Sequence, residues 1–179
     1  SLFIYMAAFP IFIICSLLLL IITVLNKNLT YKSLKIVSKI MMFSMGVYPK
    51  IHGYFPKNKQ YIVMMNHSSF LDMFIYPLVL QGKWTGITAS ENFKYPILSL
   101  LLKKIDAIPI KRTNKIGAIK TIQIAEQKLM SGYHVGIMPE GERTLNGKML
   151  PFKKGGFHMA LNTKTPILPI GVSGAFNAK

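Results

Sequence analysis

Apolar and polar positions divide the chain into two regimes. From residue 2 to residue 25 no side chain carries a charge, and the run predicts one long apolar helix bent or interrupted at Pro10. That length suffices to cross a bilayer, or to enter it as a re-entrant helix. Residues 31–48 make a second helical pattern. Lys32, Lys35 and Lys39 share one face, with Leu34, Val37, Met41, Met42 and Met45 supplying apolar area elsewhere. The pattern also fits an ordinary amphipathic helix packed on a domain. Beside so apolar a neighbour we read it as an interfacial helix lying among anionic headgroups.

Beyond Pro49 short apolar runs alternate with longer helical ones. Residues 51–55 predict an edge strand and 61–65 a short buried strand. A helix over 70–80, a strand over 84–89 and an apolar helix over 96–103 follow. Residues 106–110 predict a strand whose proline suits an edge or an end. Asn114 can cap a helix running to about Met130, and 133–138 predicts another buried strand. A helix over 155–162 and a strand over 167–172 complete the pattern. The alternation predicts an α/β fold with a largely parallel sheet flanked by helices, preceded by an N-terminal membrane-embedded helical segment. Residues 1–48 form the anchor in this reading and 49–179 the α/β domain.

Three of these strands end in polar clusters, which parallel pairing would bring to one rim of the sheet. The first is Asn66-His67-Ser68-Ser69-Phe70-Leu71-Asp72. A neutral imidazole can accept a hydroxyl proton, and an aspartate can hold it in the right tautomer. On one continuous helix, His67 and Asp72 would stand roughly 140° apart, too far to touch. They meet only if His67 lies in the loop before the helix and Asp72 in its early turns, with Ser68 or Ser69 as N-cap. A surface histidine and a helix-start aspartate favoured by the dipole fit the same residues. The second cluster is Lys111 with Arg112, and the third is Glu140 with Arg143. Arginine's planar fork binds phosphate oxygens in pairs, whereas Lys111, Lys153 and Lys154 act as point charges.

Composition narrows the partners. The 179 residues hold 22 Lys and Arg against six acids, a formal charge of +16. Such a surplus points to an anionic bilayer face, phosphorylated substrates or nucleic acid. A hydrophobic fraction of 51% with eleven Met favours the membrane, and no nucleic-acid-binding pattern is present. The lone Cys15 sits in the apolar run and reads as a small hydrophobe. Four scattered histidines make no ligand cluster, so no metal or cofactor is expected. If residues 2–25 span, the lysines after them put the α/β domain on the cytoplasmic side.

These blocks resemble the glycerophospholipid acyltransferase family, most closely its 1-acyl-glycerol-3-phosphate acyltransferases. The stretch 66–72 is similar to the family's first block, Asn-His followed by Asp. Asp106-Ala107-Ile108-Pro109-Ile110-Lys111-Arg112 resembles the second, and Met138-Pro139-Glu140-Gly141-Glu142-Arg143 the third. Thr165-Pro166-Ile167-Leu168-Pro169-Ile170 is similar to the fourth, and Met149-Leu150-Pro151-Phe152-Lys153-Lys154-Gly155 also fits. The order of the blocks is more specific than any one of them. The resemblance implies acyl transfer from acyl-CoA or acyl carrier protein to lysophosphatidic acid at an anionic membrane surface. His67 would be the base and Asp72 its orienting partner. Lys111, Arg112, Glu140, Gly141, Arg143 and Pro169 would belong to the substrate site. Glu140 beside Arg143 reads equally as a structural ion pair. Met138 replaces the family's usual aromatic and Glu142 a small hydroxyl residue, which leaves another lysophospholipid or glycerol-3-phosphate as alternative acceptors. A non-catalytic, basic lipid-binding protein is the alternative of another class. Relatives continue past the fourth block, so the domain's C-terminal end is expected beyond Lys179.

Overall fold

The structure, a computed structural model, describes residues 2–57, 59–111 and 115–178. Two helices come first, α1 (Leu2–Leu25) and α2 (Lys27–Ser44). The domain after them alternates β1 (Ile62–Met65), α3 (Asp72–Val79), β2 (Trp84–Ala89), α4 (Pro96–Lys104), β3 (Ile108–Ile110), α5 (Lys115–Met130), β4 (His134–Ile137), α6 (Gly155–Thr163) and β5 (Ile167–Ile170). One sheet in the order β3-β2-β4-β1-β5 results, parallel at every pairing. Parallel neighbours need long crossovers, and the helices between strands supply them.

All four β1 residues are buried, as expected of a central strand covered on both faces. Their side chains alternate. Met65 joins Met41 and Met42 of α2 and Leu71, Phe74, Ile75 and Leu78 around α3. Ile62 and Met64 face Ala125 and Leu129 of α5 and Met159 of α6. The Tyr76 ring lies so close to β4 that a Cβ on Gly136 would fall 2.8 Å from its Cε1, which is why glycine stands there. His67 is thereby hung from a strand held on both faces and both edges.

Several expectations change. Among the described residues no helix is long and apolar enough to cross a membrane, so the expected crossing by residues 2–25 is not supported. Helix α1 runs on through Pro10 and packs along α2, burying Cys15 and Leu19. The methionines expected to serve an interfacial face do other work, since Met41 and Met42 are buried with α3 and Met45 packs against them. Lys32, Lys35 and Lys39 stay exposed, together with Ile36, Ile40 and Phe43. No strand forms over 51–55, where Gly53 takes a left-handed φ of 89° that breaks an extended run. The helix predicted over 70–80 starts two residues later, because its first turns are given to the loop that holds His67.

Candidate active site

Strand β1 ends at Met65 and α3 starts at Asp72, so six residues make the turn. The His67 Nδ1 lies 2.7 Å from Asp72 Oδ2, the loop-to-helix arrangement that the spacing requires. The same oxygen accepts the backbone N–H groups of Ser68 at 2.8 Å and Ser69 at 3.0 Å. Three donors converging on one carboxylate oxygen fix the loop around the acid. The serine caps therefore take another form. Ser69 Oγ accepts the Leu71 N–H at 3.3 Å within the turn, and α3 has no side-chain cap. Donation from Nδ1 to Asp72 leaves the ring's lone pair on Nε2, the state a base needs. Asp72 is fully buried, while the imidazole keeps 18% of its surface open. Access and orientation are thus divided between the two residues.

The third cluster locks the same loop from the other side. Glu140 is 2% exposed, and its Oε1 accepts the His67 N–H at 2.6 Å while Oε2 accepts the Leu150 N–H at 2.7 Å. Expected at the substrate, or paired with Arg143, Glu140 instead spends both oxygens on backbone donors. No Glu140–Arg143 ion pair occurs among the described residues. Thr144 adds an N–H to the His67 carbonyl at 3.1 Å, so both backbone groups of His67 are held by the segment after β4. Asn66 exchanges two bonds with the Val172 backbone, at 2.9 and 2.7 Å, stitching the loop to the end of β5. Asn66 and Thr144 carry roles that no spacing rule assigned. An asparagine preceding the histidine at a strand end was the one visible signal.

The remaining expected residues lie around this centre at different distances. Gly141 turns the chain after Glu140 with φ 79°, and a Cβ there would fall 2.8 Å from Lys153 Nζ. The Lys153 ammonium therefore lies directly over the turn, while the Lys153 backbone N–H donates to the Pro139 carbonyl at 2.8 Å. Arg143 is exposed on that turn, next to Thr144. Lys111 is exposed just past β3, three strand positions from β1, or about 14 Å at ordinary strand spacing. Arg112 lies outside the described residues. Pro169 sits within β5 opposite Met64, exposed, in a position to shape the strand rather than donate a bond. Tyr76 bonds the Val63 carbonyl at 3.4 Å, and its phenol is pushed far above its ordinary range by burial and by the Asp72 charge. It therefore stays protonated and serves as packing.

A family model described as Acyltransferase matches residues 48–173. The chain belongs to this acyltransferase family. It is 32% identical over 145 residues to human 1-acyl-sn-glycerol-3-phosphate acyltransferase alpha, covering 79% of this chain and 51% of that protein. The 1-acyl-sn-glycerol-3-phosphate acyltransferase of Cocos nucifera is 31% identical over 140 residues, covering 78% and 46%. The chain thus spans about half the length of the curated relatives it matches. The crystal structure of the 1-acyl-sn-glycerophosphate (LPA) acyltransferase PlsC from Thermotoga maritima superposes with a TM-score of 0.82, covering 98% of this chain and 75% of that one. At 21% identity that likeness establishes a shared fold.

Proposed function

We propose that the protein transfers a fatty acyl group from a thioester donor to the free hydroxyl of lysophosphatidic acid, giving phosphatidic acid. The 2.7 Å link between His67 Nδ1 and Asp72 Oδ2 carries this reading, because it leaves Nε2 free to accept a proton beside open surface. His67 takes the proton from the acceptor hydroxyl as its oxygen attacks the thioester carbon. The new C–O bond forms, the C–S bond breaks, and the proton passes to the departing thiolate. A thioester is already activated, so one base and stabilisation of the oxyanion suffice. The relatives' names support lysophosphatidic acid as acceptor. Arg143, Lys111 and Arg112 would hold its phosphate, with Lys153 adding charge above the Gly141 turn.

The same reading puts the protein at a membrane. Exposed Lys32, Lys35 and Lys39 beside Ile36, Ile40 and Phe43 suit a helix resting in anionic headgroups. The cytoplasmic leaflet is the side whose negative potential attracts such a face. Exposed Glu142 adds negative charge next to Arg143, which favours testing a less anionic lysophospholipid as the second reading. The deciding experiment assays the purified chain with acyl-CoA and with acyl carrier protein against lysophosphatidic acid, other lysophospholipids and glycerol-3-phosphate. Transfer that shows no preference for lysophosphatidic acid defeats the acceptor assignment. No transfer to any acceptor defeats the enzyme reading and favours a lipid-binding protein.

A further inference from the structure

A polar cleft of about 410 Å³ opens beside the His67 loop on the β5 side of the sheet, away from Lys111. Its walls are the chain after β4, at Asn146 and Lys148, and the chain after β5, at Val172, Ser173 and Asn177. Both walls are tied to the catalytic loop. Asn66 bonds Val172 in both directions, and Thr144 bonds the His67 carbonyl. The Thr144 hydroxyl donates to Asn146 Oδ1 at 3.1 Å, and that oxygen also accepts the Lys148 N–H at 3.0 Å. The two walls also meet, since a Cβ on Gly147 would fall 3.1 Å from the Phe176 ring. The cleft is therefore a built extension of the His67 loop.

Its chemistry is distinctive. None of the lining residues is acidic; they offer one ammonium, amides, hydroxyls and a ring. Ser68 also lines it, one residue from the base, and its buried Oγ has no hydrogen-bond partner among the described residues. A buried hydroxyl left unpaired costs about 1–3 kcal/mol. The exposed cations expected to hold the acceptor phosphate, Arg143 and Lys111, do not line this cleft. We infer that the cleft takes the donor, and reads the phosphopantetheine arm that carries the acyl thioester. The Ser173 hydroxyl and the side-chain amides of Asn146 and Asn177 meet the arm's amides and hydroxyl, and Lys148 meets its phosphate. The inference rests on the thioester-donor reading above, and concerns the shared arm rather than the nucleotide or protein attached to it.

Two variants test it: Lys148→Glu, which reverses the charge, and Ser173→Trp, which fills the cleft without changing charge. Measured by calorimetry on the purified chain, the Kd for coenzyme A should rise about tenfold in each. In steady-state assays the KM for acyl-CoA and for acyl carrier protein should rise together, with the KM for lysophosphatidic acid within about twofold of the parent. The Lys148→Glu penalty should vanish with an acyl-pantetheine donor lacking the phosphate. A rise confined to the lysophosphatidic acid KM overturns the assignment and makes the cleft part of the acceptor site. So does a loss confined to acyl-CoA, or an unchanged Kd in both variants. Should the parent bind coenzyme A, lose it in the variants and yet acylate no lysophosphatidic acid, the cleft stands and the acceptor reading fails. Normal transfer and binding by both variants removes the cleft and leaves the proposed function intact.

Discussion

Asp72 bears the heaviest local duty, since one oxygen orients His67 and pins two serine amides. Replacing Asp72 with Asn presents either an amide NH₂ or a weaker acceptor to those donors. It should lower kcat by about 10²–10⁴-fold, with His67→Ala at least as severe and the double variant no worse than the His67 single. Additive losses in steady-state kinetics would separate the two residues. Glu140→Gln tests a different role. A glutamine offers one oxygen where two backbone N–H groups need acceptors, leaving a buried donor facing its NH₂. Stability should fall by about 1–3 kcal/mol in urea unfolding, and kcat should drop with the acceptor KM little changed. A rise in acceptor KM alone would return Glu140 to the substrate. Arg143→Ala, by contrast, should raise the acceptor KM about tenfold while kcat stays close to the parent's, because the proposed function gives it the acceptor phosphate, a group remote from the reacting carbon.

At the scale of elements, β4 carries a pH-sensitive joint. His134 Nδ1 accepts the Tyr61 N–H at 3.1 Å, and its ring stacks on Tyr61 and meets the edge of Phe55. Burial holds its pKa below the ordinary imidazole value, so the folded chain prefers the neutral ring that this bond requires. Folding with a depressed pKa gives stability that is present above about pH 6.5 and lost as pH falls below it, because the unfolded histidine gains a proton first. The parent should therefore lose more thermal stability between pH 7.5 and 5.5 than His134→Asn, which keeps an acceptor but cannot titrate. Equal losses in melting curves would place the sensitivity elsewhere. The joint sits at the start of β4, at the opposite end of the strand from Glu140, so it concerns the sheet rather than the chemistry.

For the molecule as a whole, the exposed face of α2 is the surface that the proposed function brings to a bilayer. Lys32, Lys35 and Lys39 flank Ile36, Ile40 and Phe43, and each lysine near an anionic surface adds about 1 kcal/mol of attraction. Reversing all three to Glu should weaken binding to anionic vesicles by more than a hundredfold at low salt, leaving transfer to a detergent-dispersed acceptor unchanged. Vesicle flotation that does not respond to the reversal would assign membrane contact to another surface. From β1 onward the sequence alone carried the order of strands and helices, the three polar strand ends and the need for His67 to precede the helix that begins with Asp72. Those features follow from local periodicity and the fixed geometry of a helical turn. Tertiary structure decided the rest. Parallel pairing put β3 at the far edge, and the central position of β1 brought Asn66, Glu140 and Thr144 onto one loop. Packing turned the α2 methionines inward. The edge position suited the proline of β3, but the bracing role of Glu140 was not legible in advance, because a buried carboxylate that braces backbone and one that touches substrate have the same letter in the chain. Only the donors that fold against it tell them apart.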